Sequence, residues 1–197
     1  FVVLLGKGDH QITSSCTGPL GESATTLGIT RSNITFVGTG KDRTTILGGF
    51  HIYNVENIKF KNMTVTNTSG GGNGGGGNGI YMSNAKVELF DVALKGCTGR
   101  ALAIISDNTS DTNLVATRCE FASSAYGAEI YCSLSSATFN NCVFHDNRYD
   151  GIFGSHNATI HLHGEATALH SNRRYGINAL ESGKVIIHLP SHHNTSY

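Results

Sequence analysis

The chain has no tryptophan, two prolines and no apolar run near the roughly 18 residues that a membrane-spanning helix needs. Charged residues make up only 14% of its 197 residues, below the roughly 25% typical of globular domains. Its 14 basic and 14 acidic residues cancel, so the sequence carries no net positive charge that would attract nucleic acid. We therefore expect no membrane span and no nucleic-acid partner.

Cysteine pairs in metal-binding spacing are also missing. The five cysteines form an odd set without a Cys-x-x-Cys pair, which argues against a zinc ribbon and against a dense disulfide framework. The chain starts at Phe1 rather than at methionine, and the short apolar stretch that follows is better interpreted as a strand than as a signal segment. Six Asn-x-Ser/Thr sequons leave the compartment open, with a secreted or cell-surface location favoured.

A repeated pattern takes up most of the chain from about residue 55 onward. Each copy has two apolar residues at spacing two, a three-residue step, and two more apolar residues at spacing two. Alternation with period two indicates a strand with one buried face, and the step of three indicates a bend between two short strands. The copies are 57–65, 86–94, 113–121 and 136–144.

A third short strand is expected to follow each copy, because glycine and a small or apolar residue recur after a polar turn. These glycines are Gly79, Gly127, Gly151 and Gly176, and the last three are 24 and 25 residues apart. Three strands per repeat predict an all-β fold, a coil of parallel sheet with six to seven rungs of roughly 25 residues. One interior column would hold Met63, Val92, Cys119 and Cys142, and the next Val65, Leu94, Phe121 and Phe144.

An antiparallel sandwich is the alternative all-β architecture, but it does not predict columns that match at a 25-residue shift. We expect a single domain over 1–197. Residues 1–50 would form the first rungs, with a loop or a short helix near 14–28. The glycine-rich tract 69–79 is predicted to be a loop, and 190–197 an exposed tail.

Several segments resemble the right-handed parallel β-helix proteins, a superfamily that includes the pectate lyases. The resemblance lies in LGKGDHQI, SNITFVGTGKDRTTILGG and VENIKFKNMTVTN, and in the turns NRYDGIFGS and NRRYGINAL. The last 38 residues are also similar to predicted β-helix proteins of unicellular algae and related protists, most of which have no assigned activity. The resemblance implies the fold, whereas function must come from the site, because one fold hosts many functions.

The segments HDNRYDGI and HSNRRYGI, 25 residues apart, hold the candidate site residues. A polysaccharide lyase needs a cation to neutralise a uronate carboxylate, a base for the adjacent proton and an acid for the leaving oxygen. These residue types are present on adjacent rungs as the six candidates His145, Arg148, Tyr149, His170, Arg173 and Tyr175, and Arg174 adds a further cation to the same basic, aromatic strip.

The competing interpretation is that these are exposed turn positions, with Asn147 and Asn172 forming a stabilising ladder and Asp150, beside Arg148, neutralising part of the basic strip. The catalytic motifs of pectate lyases, polygalacturonases and alginate epimerases are absent. We therefore favour a non-catalytic scaffold or recognition module, which presents a flat face to a glycan or protein partner, within a larger assembly. The alternative is a lyase or epimerase acting on acidic polysaccharide.

Metal ions are weakly indicated. His161 and His163 alternate on one strand face, and His188 follows His163 by 25 residues, so that pair could stack. No cysteine or carboxylate completes a recognisable ligand set, and we predict no metal and no cofactor. Calcium is a weak option at the loop holding Asp107 and Asp111, because calcium prefers clustered carboxylates.

Overall fold

The computed structural model describes residues 1–18, 21–23, 25–70, 76–106 and 109–188. These ranges contain 22 strands and no helix. The first eleven are β1 Val2–Leu4, β2 Gly8–Gln11, β3 Cys16–Gly18, β4 Gly21–Ser23, β5 Thr26–Ile29, β6 Ile34–Val37, β7 Thr44–Leu47, β8 Gly49–Tyr53, β9 Ile58–Thr66, β10 Ile80–Ser83 and β11 Lys86–Lys95. The rest are β12 Arg100–Ile105, β13 Thr112–Thr117, β14 Glu120–Ala122, β15 Tyr126–Tyr131, β16 Ser135–Asn140, β17 Val143–His145, β18 Ile152–Ser155, β19 Thr159–His163, β20 Ala168–His170, β21 Ile177–Ala179 and β22 Lys184–His188.

Two parallel sheets wind around one interior. The first has 13 strands, and its main path runs β1-β6-β9-β11-β13-β16-β19-β22. The second has 7 strands in the order β21-β18-β15-β12-β10-β8-β5. Each strand pairs with the equivalent strand of the next turn, which gives a right-handed parallel β-solenoid of about six turns. The predicted coil is confirmed, and the antiparallel sandwich is excluded.

A bend divides each turn of the first sheet where the sequence steps by three. The residue at the bend has a left-handed backbone, with φ of 57° at Asn62, 51° at Asp91, 54° at Arg118 and 53° at Asn141. Asparagine and aspartate tolerate this conformation better than other residues that carry a Cβ. After the bend, the alternation restarts with the next apolar residue directed inward.

The predicted interior columns are present. Leu94 pairs with Val65 and with Phe121, and Phe121 pairs with Phe144. All are fully buried, as are the residues of the neighbouring column that contains Met63. Stacked rungs at strand spacing bring identical positions into contact, so apolar side chains cover one another along the axis. All five cysteines are free thiols.

The glycines that open the third strand allow close approach between turns. Ile80, Leu102, Ala128, Ile152 and Ile177 follow one another in register along the second sheet. The residue directly before such an apolar residue packs closely against the backbone of the next turn. At Gly151, for example, a Cβ would lie 2.7 Å from the carbonyl oxygen of Gly176. Real Cβ atoms do not approach that closely, so this column is restricted to glycine or to small residues with a shifted backbone.

Strands within the first 50 residues pair with those of the following turns, and one segment departs from this pattern. Where we expected a loop or a short helix, β3 and β4 pair as an antiparallel hairpin, since Cys16 faces Ser23. Within the predicted glycine-rich loop, residues 71–75 lie outside the described ranges, and so does the predicted tail 190–197. Over the part of the chain that is described, no helix has the length and hydropathy required to cross a membrane.

Candidate functional site

The two repeated turns share a buried asparagine ladder. The side chain of Asn147 donates to Asn172 Oδ1 at 2.9 Å and to the carbonyl oxygen of Phe121 at 3.1 Å. Its own Oδ1 accepts the backbone N–H of Ser124, and Asn172 donates to the carbonyl oxygen of Phe144. Each amide therefore satisfies backbone groups of the preceding turn, which buried polar groups require. The predicted ladder is confirmed, and it fixes where the flanking residues lie.

His145 and His170 stack on the first sheet, just before these turns. Their ring centroids are 5.1 Å apart and the rings are nearly parallel, because β17 pairs with β20 at this position. His145 Nδ1 lies 2.7 Å from a carboxylate oxygen of Asp146, and its Nε2 lies 3.4 Å from one of Glu120. Both ring nitrogens of His145 therefore face an acid. Neither is directed freely at a bound molecule.

An open cleft of about 580 Å³ lies beside His145, along the bends of the first sheet. Its polar lining includes Lys41, Arg118 and Glu120. Lys41 Nζ donates to the carbonyl oxygen of Arg118 at 3.2 Å, and Arg118 forms a two-contact ion pair with Asp91. Hydrogen bonds from Arg118 hold the pKa of the Asp91 carboxyl below its usual range. Lys41 and Arg118 thus place two positive charges at the cleft, and the carboxylates of Asp91 and Glu120 partly neutralise them.

Tyr149 and Tyr175 lie on a different surface, at the start of the second sheet. The Tyr126 ring packs against Tyr149 with centroids 5.0 Å apart and against Phe153 at 6.1 Å. The guanidinium of Arg174 lies 5.9 Å from the ring centroids of both Tyr149 and Tyr175. Tyr149 is 38% exposed and Tyr175 is 55% exposed. We call this set the aromatic shelf: Tyr126, Tyr149, Phe153, Arg174 and Tyr175.

Two carboxylates lie close to the shelf. Asp150 is fully buried and one of its oxygens accepts a hydrogen bond from Asn178 at 3.0 Å, while Glu129 forms an ion pair with Arg100. Partial burial, and then the charges of Glu129 and Asp150, raise the pKa of Tyr126. Its hydroxyl therefore stays protonated at neutral pH. The Asp150 carboxylate turns inward and accepts its hydrogen bond from the Asn178 amide, and among the described residues it forms no ion pair with Arg148.

Arg148 and Arg173 are exposed, and among the described residues neither side chain makes a hydrogen bond, ion pair or ring contact. Their backbone N–H groups join the turns, donating to Ser124 and Asn147 respectively. The six candidates thus do not converge on one point: the histidines stack on one surface, the tyrosines flank Arg174 on another, and these two arginines face solvent.

Sequence reasoning missed Tyr126 and Phe153, and it named Arg174 only as a member of the basic, aromatic strip in the repeated turns. A usable signal was present, because Tyr126 and Tyr175 each stand directly before a glycine of the column described above. That alignment places them at the same point of the solenoid two turns apart, with Asp150 at this point on the turn between them, although nothing in the sequence distinguishes Arg174 from Arg173. For calcium, Asp111 is exposed and Asp107 lies outside the described residues.

Comparison with protein-family models matches residues 48–188 to the right handed beta helix region. The match covers more than half of the chain and includes both repeated turns. No curated protein matches, and no solved structure matches.

Proposed function

Because the chain belongs to the right-handed β-helix family, we infer its function from the outer surfaces of this scaffold. We propose that it is a non-catalytic recognition module that binds a glycan on the aromatic shelf. The observation that carries this proposal is the contact of Arg174 with Tyr149 and Tyr175, next to the Tyr126–Tyr149 pair, on one open surface.

The residue types of the shelf suit a sugar. Tyrosine offers a large apolar face with a polar tip. Because its side chain has few rotatable bonds, it buries a large contact area against a ligand while losing little conformational entropy. The guanidinium of Arg174 adds a fork of donors for hydroxyl or carboxylate oxygens. Because the rings belong to successive turns, they form a row along the solenoid axis. A row of this kind suits a polymer better than a compact small molecule.

The arrangement around His145 supports the non-catalytic part of the proposal. A general base needs a nitrogen lone pair within reach of the substrate proton. In His145 both nitrogens face carboxylates, at 2.7 and 3.4 Å. Arg148 and Arg173 point into solvent and do not join this histidine.

The test is binding to a panel of neutral and uronate-containing polysaccharides, measured by affinity electrophoresis and calorimetry. We expect Tyr149→Ala and Tyr175→Ala each to weaken binding about tenfold, the factor that corresponds to roughly 1.4 kcal/mol. Tyr53→Ala is the matched control, because Tyr53 is also 38% exposed on the second sheet but lies away from the shelf. Binding that survives both shelf substitutions, or that Tyr53→Ala reduces equally, would reject the shelf as the site.

The cleft favours a second candidate, β-elimination on an acidic polysaccharide. Lys41 and Arg118 would neutralise the uronate carboxylate, and a base would remove the proton on the adjacent carbon. The glycosidic C–O bond would then break, an acid such as Glu120 would protonate the leaving oxygen, and an unsaturated uronate would remain.

Such products absorb ultraviolet light, so the assay follows absorbance with alginates, pectates and glucuronans, with and without calcium. Absorbance produced by the wild type and lost in Lys41→Ala would establish catalysis at the cleft. Arg148→Ala/Arg173→Ala is the control for the exposed arginines. If the absorbance change were lost in that variant alone, the reaction would have to take place at the repeated turns rather than at the cleft.

A further inference from the structure

Three histidines form a patch on the outer face of the first sheet, at its C-terminal end. His161 and His163 alternate on β19, so their side chains leave the same face. His188 ends β22 and pairs directly with His163. The patch is distinct from the aromatic shelf and from the cleft, and neither proposed function uses it.

The three rings are close and nearly parallel. His163 and His188 stack with centroids 4.0 Å apart and planes 5° apart. His161 Nδ1 lies 3.0 Å from His188 Nε2. One nitrogen from each of the three rings can be chosen so that all lie within 4.8 Å of one another.

These separations are close to those of three ligands on one ion, and binding requires the rings to turn so that their in-plane lone pairs converge on it. Imidazole nitrogens lie about 2.0–2.1 Å from zinc in tetrahedral sites, so two ligand nitrogens are then roughly 3.4 Å apart. The pair at 3.0 Å already has this spacing. The third nitrogen lies within 4.8 Å of the others and must approach by up to about 1.4 Å, which partly exposed side chains do by rotating about χ1 and χ2.

The neighbours of the patch in register carry no charge. The positions that flank the patch in register are Asn140 and Thr138 on β16 and Ile186 on β22, and none of these is charged. A patch with only nitrogen donors favours zinc, copper or nickel over calcium or magnesium, which require oxygen ligands.

We propose that His161, His163 and His188 bind one divalent ion of the zinc, copper and nickel class, with solvent completing the coordination. Because the ligands come from β19 and β22, the ion joins two successive turns. Binding of the ion therefore holds β22, the last described strand, against β19 of the preceding turn.

Zinc titration of the metal-free protein, by calorimetry and by hydrogen exchange, tests this inference. We expect one ion per chain and slower amide exchange in residues 184–188. His163→Ala and His188→Asn should each weaken zinc binding at least tenfold and abolish the change in exchange. Calcium should have no effect in either measurement.

The stacked pair on β17 and β20 provides the matched control, since it has two histidines but no third ring. His145→Ala/His170→Ala should bind zinc as the wild type does. His188 is exposed, so its asparagine variant should keep the wild-type melting curve without metal. Zinc binding that is unchanged in both patch variants, or that falls only in the control, would overturn the proposal. So would zinc binding without protection of residues 184–188.

Discussion

The middle and the last turns of the solenoid contain the same apolar pattern but bury it to different extents. Leu162 is 2% exposed, whereas Ile187, its partner in register on the next strand, is 52% exposed. Phe144 and Ile152 are fully buried, and their partners Leu169 and Ile177 are only half-buried. The difference shows that in a solenoid a side chain is buried by the turns on either side of it rather than by its own sequence.

The same comparison separates stability from recognition. The middle turns carry the continuous core, with Phe121 packed against Phe139 and Phe144. The last turns carry exposed chemistry, including Tyr175 and the histidine patch. Substitutions should therefore have opposite consequences in the two regions: large losses of stability in the middle, and changes of binding at the end.

The largest effect is expected for Phe121→Ala. Phe121 is fully buried between two aromatic rings, so its loss leaves a cavity and should lower the free energy of unfolding by about 3–5 kcal/mol. Leu169 lies in the same interior column as Phe121, two turns further along. Leu169→Ala should therefore lower the free energy of unfolding clearly less, because Leu169 is only half-buried. Urea unfolding followed by circular dichroism measures both. Equal losses would show that the last turns are as tightly packed as the middle ones.

The asparagine ladder should give the next largest effect. Asn147→Ala leaves the Ser124 N–H and the Phe121 carbonyl without their partner inside the solenoid, at a cost of about 1–3 kcal/mol. Asn172→Ala should cost less, because that end of the ladder is half-buried and open to water. The same denaturant series tests this order. A larger loss at Asn172 would contradict it.

The free energy of unfolding should depend on pH through His51, the buried histidine near the N-terminal end of the solenoid. Burial lowers the pKa of His51, which packs against Tyr81 and lies 3.5 Å from the Cys16 sulfur. The unfolded chain then binds a proton more readily than the folded one. Stability is therefore complete above the ordinary pKa near 6.5 and falls as the pH drops below it, toward the lowered value.

Melting temperatures between pH 7.5 and pH 5 test this in the wild type and in His51→Gln. We expect the wild type to lose more stability on acidification than the variant. Because the pKa of His163 is lowered in the same direction but its side chain is only half-buried, His163→Gln should change the profile less. Identical profiles for the wild type and His51→Gln would assign the acid sensitivity to other groups.

The smallest effect is expected at the end of the first sheet. Ile187→Ala should change the free energy of unfolding by about half a kcal/mol or less, since surface substitutions usually lie within that range. Leu162→Ala, at the paired position one turn earlier, should cost about 2–5 kcal/mol. A large loss for Ile187→Ala in the denaturant series would mean that another surface covers this position in solution.

Much of the interior could be predicted from the sequence. The columns of Val65, Leu94, Phe121 and Phe144 follow from spacing alone, because parallel turns repeat their register and two-residue alternation defines the buried face. The bend followed from the three-residue step, and the ladder from the recurrence of Asn147 and Asn172. The hairpin of β3 and β4 could not be predicted, because it lies outside the repeat and lacks its periodicity.

The candidate site was less predictable, because side chains in turns have no period that fixes their direction. Asp150 turns inward to Asn178, whereas its place beside Arg148 suggested that it neutralises part of the basic strip. Tyr149 and Tyr175 were proposed as candidates, but their contact through Arg174 depends on the path of the turn. The residues were visible in the sequence, and their grouping required the structure.

The glycine column has a consequence for how such a surface evolves. The glycine fixes the position of the residue before it but not its direction: Tyr126 and Tyr175 belong to the aromatic shelf, whereas Asp150, on the turn between them, is fully buried. Duplication of a whole turn would add one more such position without changing the kinds of contact in the core. The solenoid can therefore acquire a new binding preference by changing one residue per turn, while the rest of the repeat is inherited unaltered.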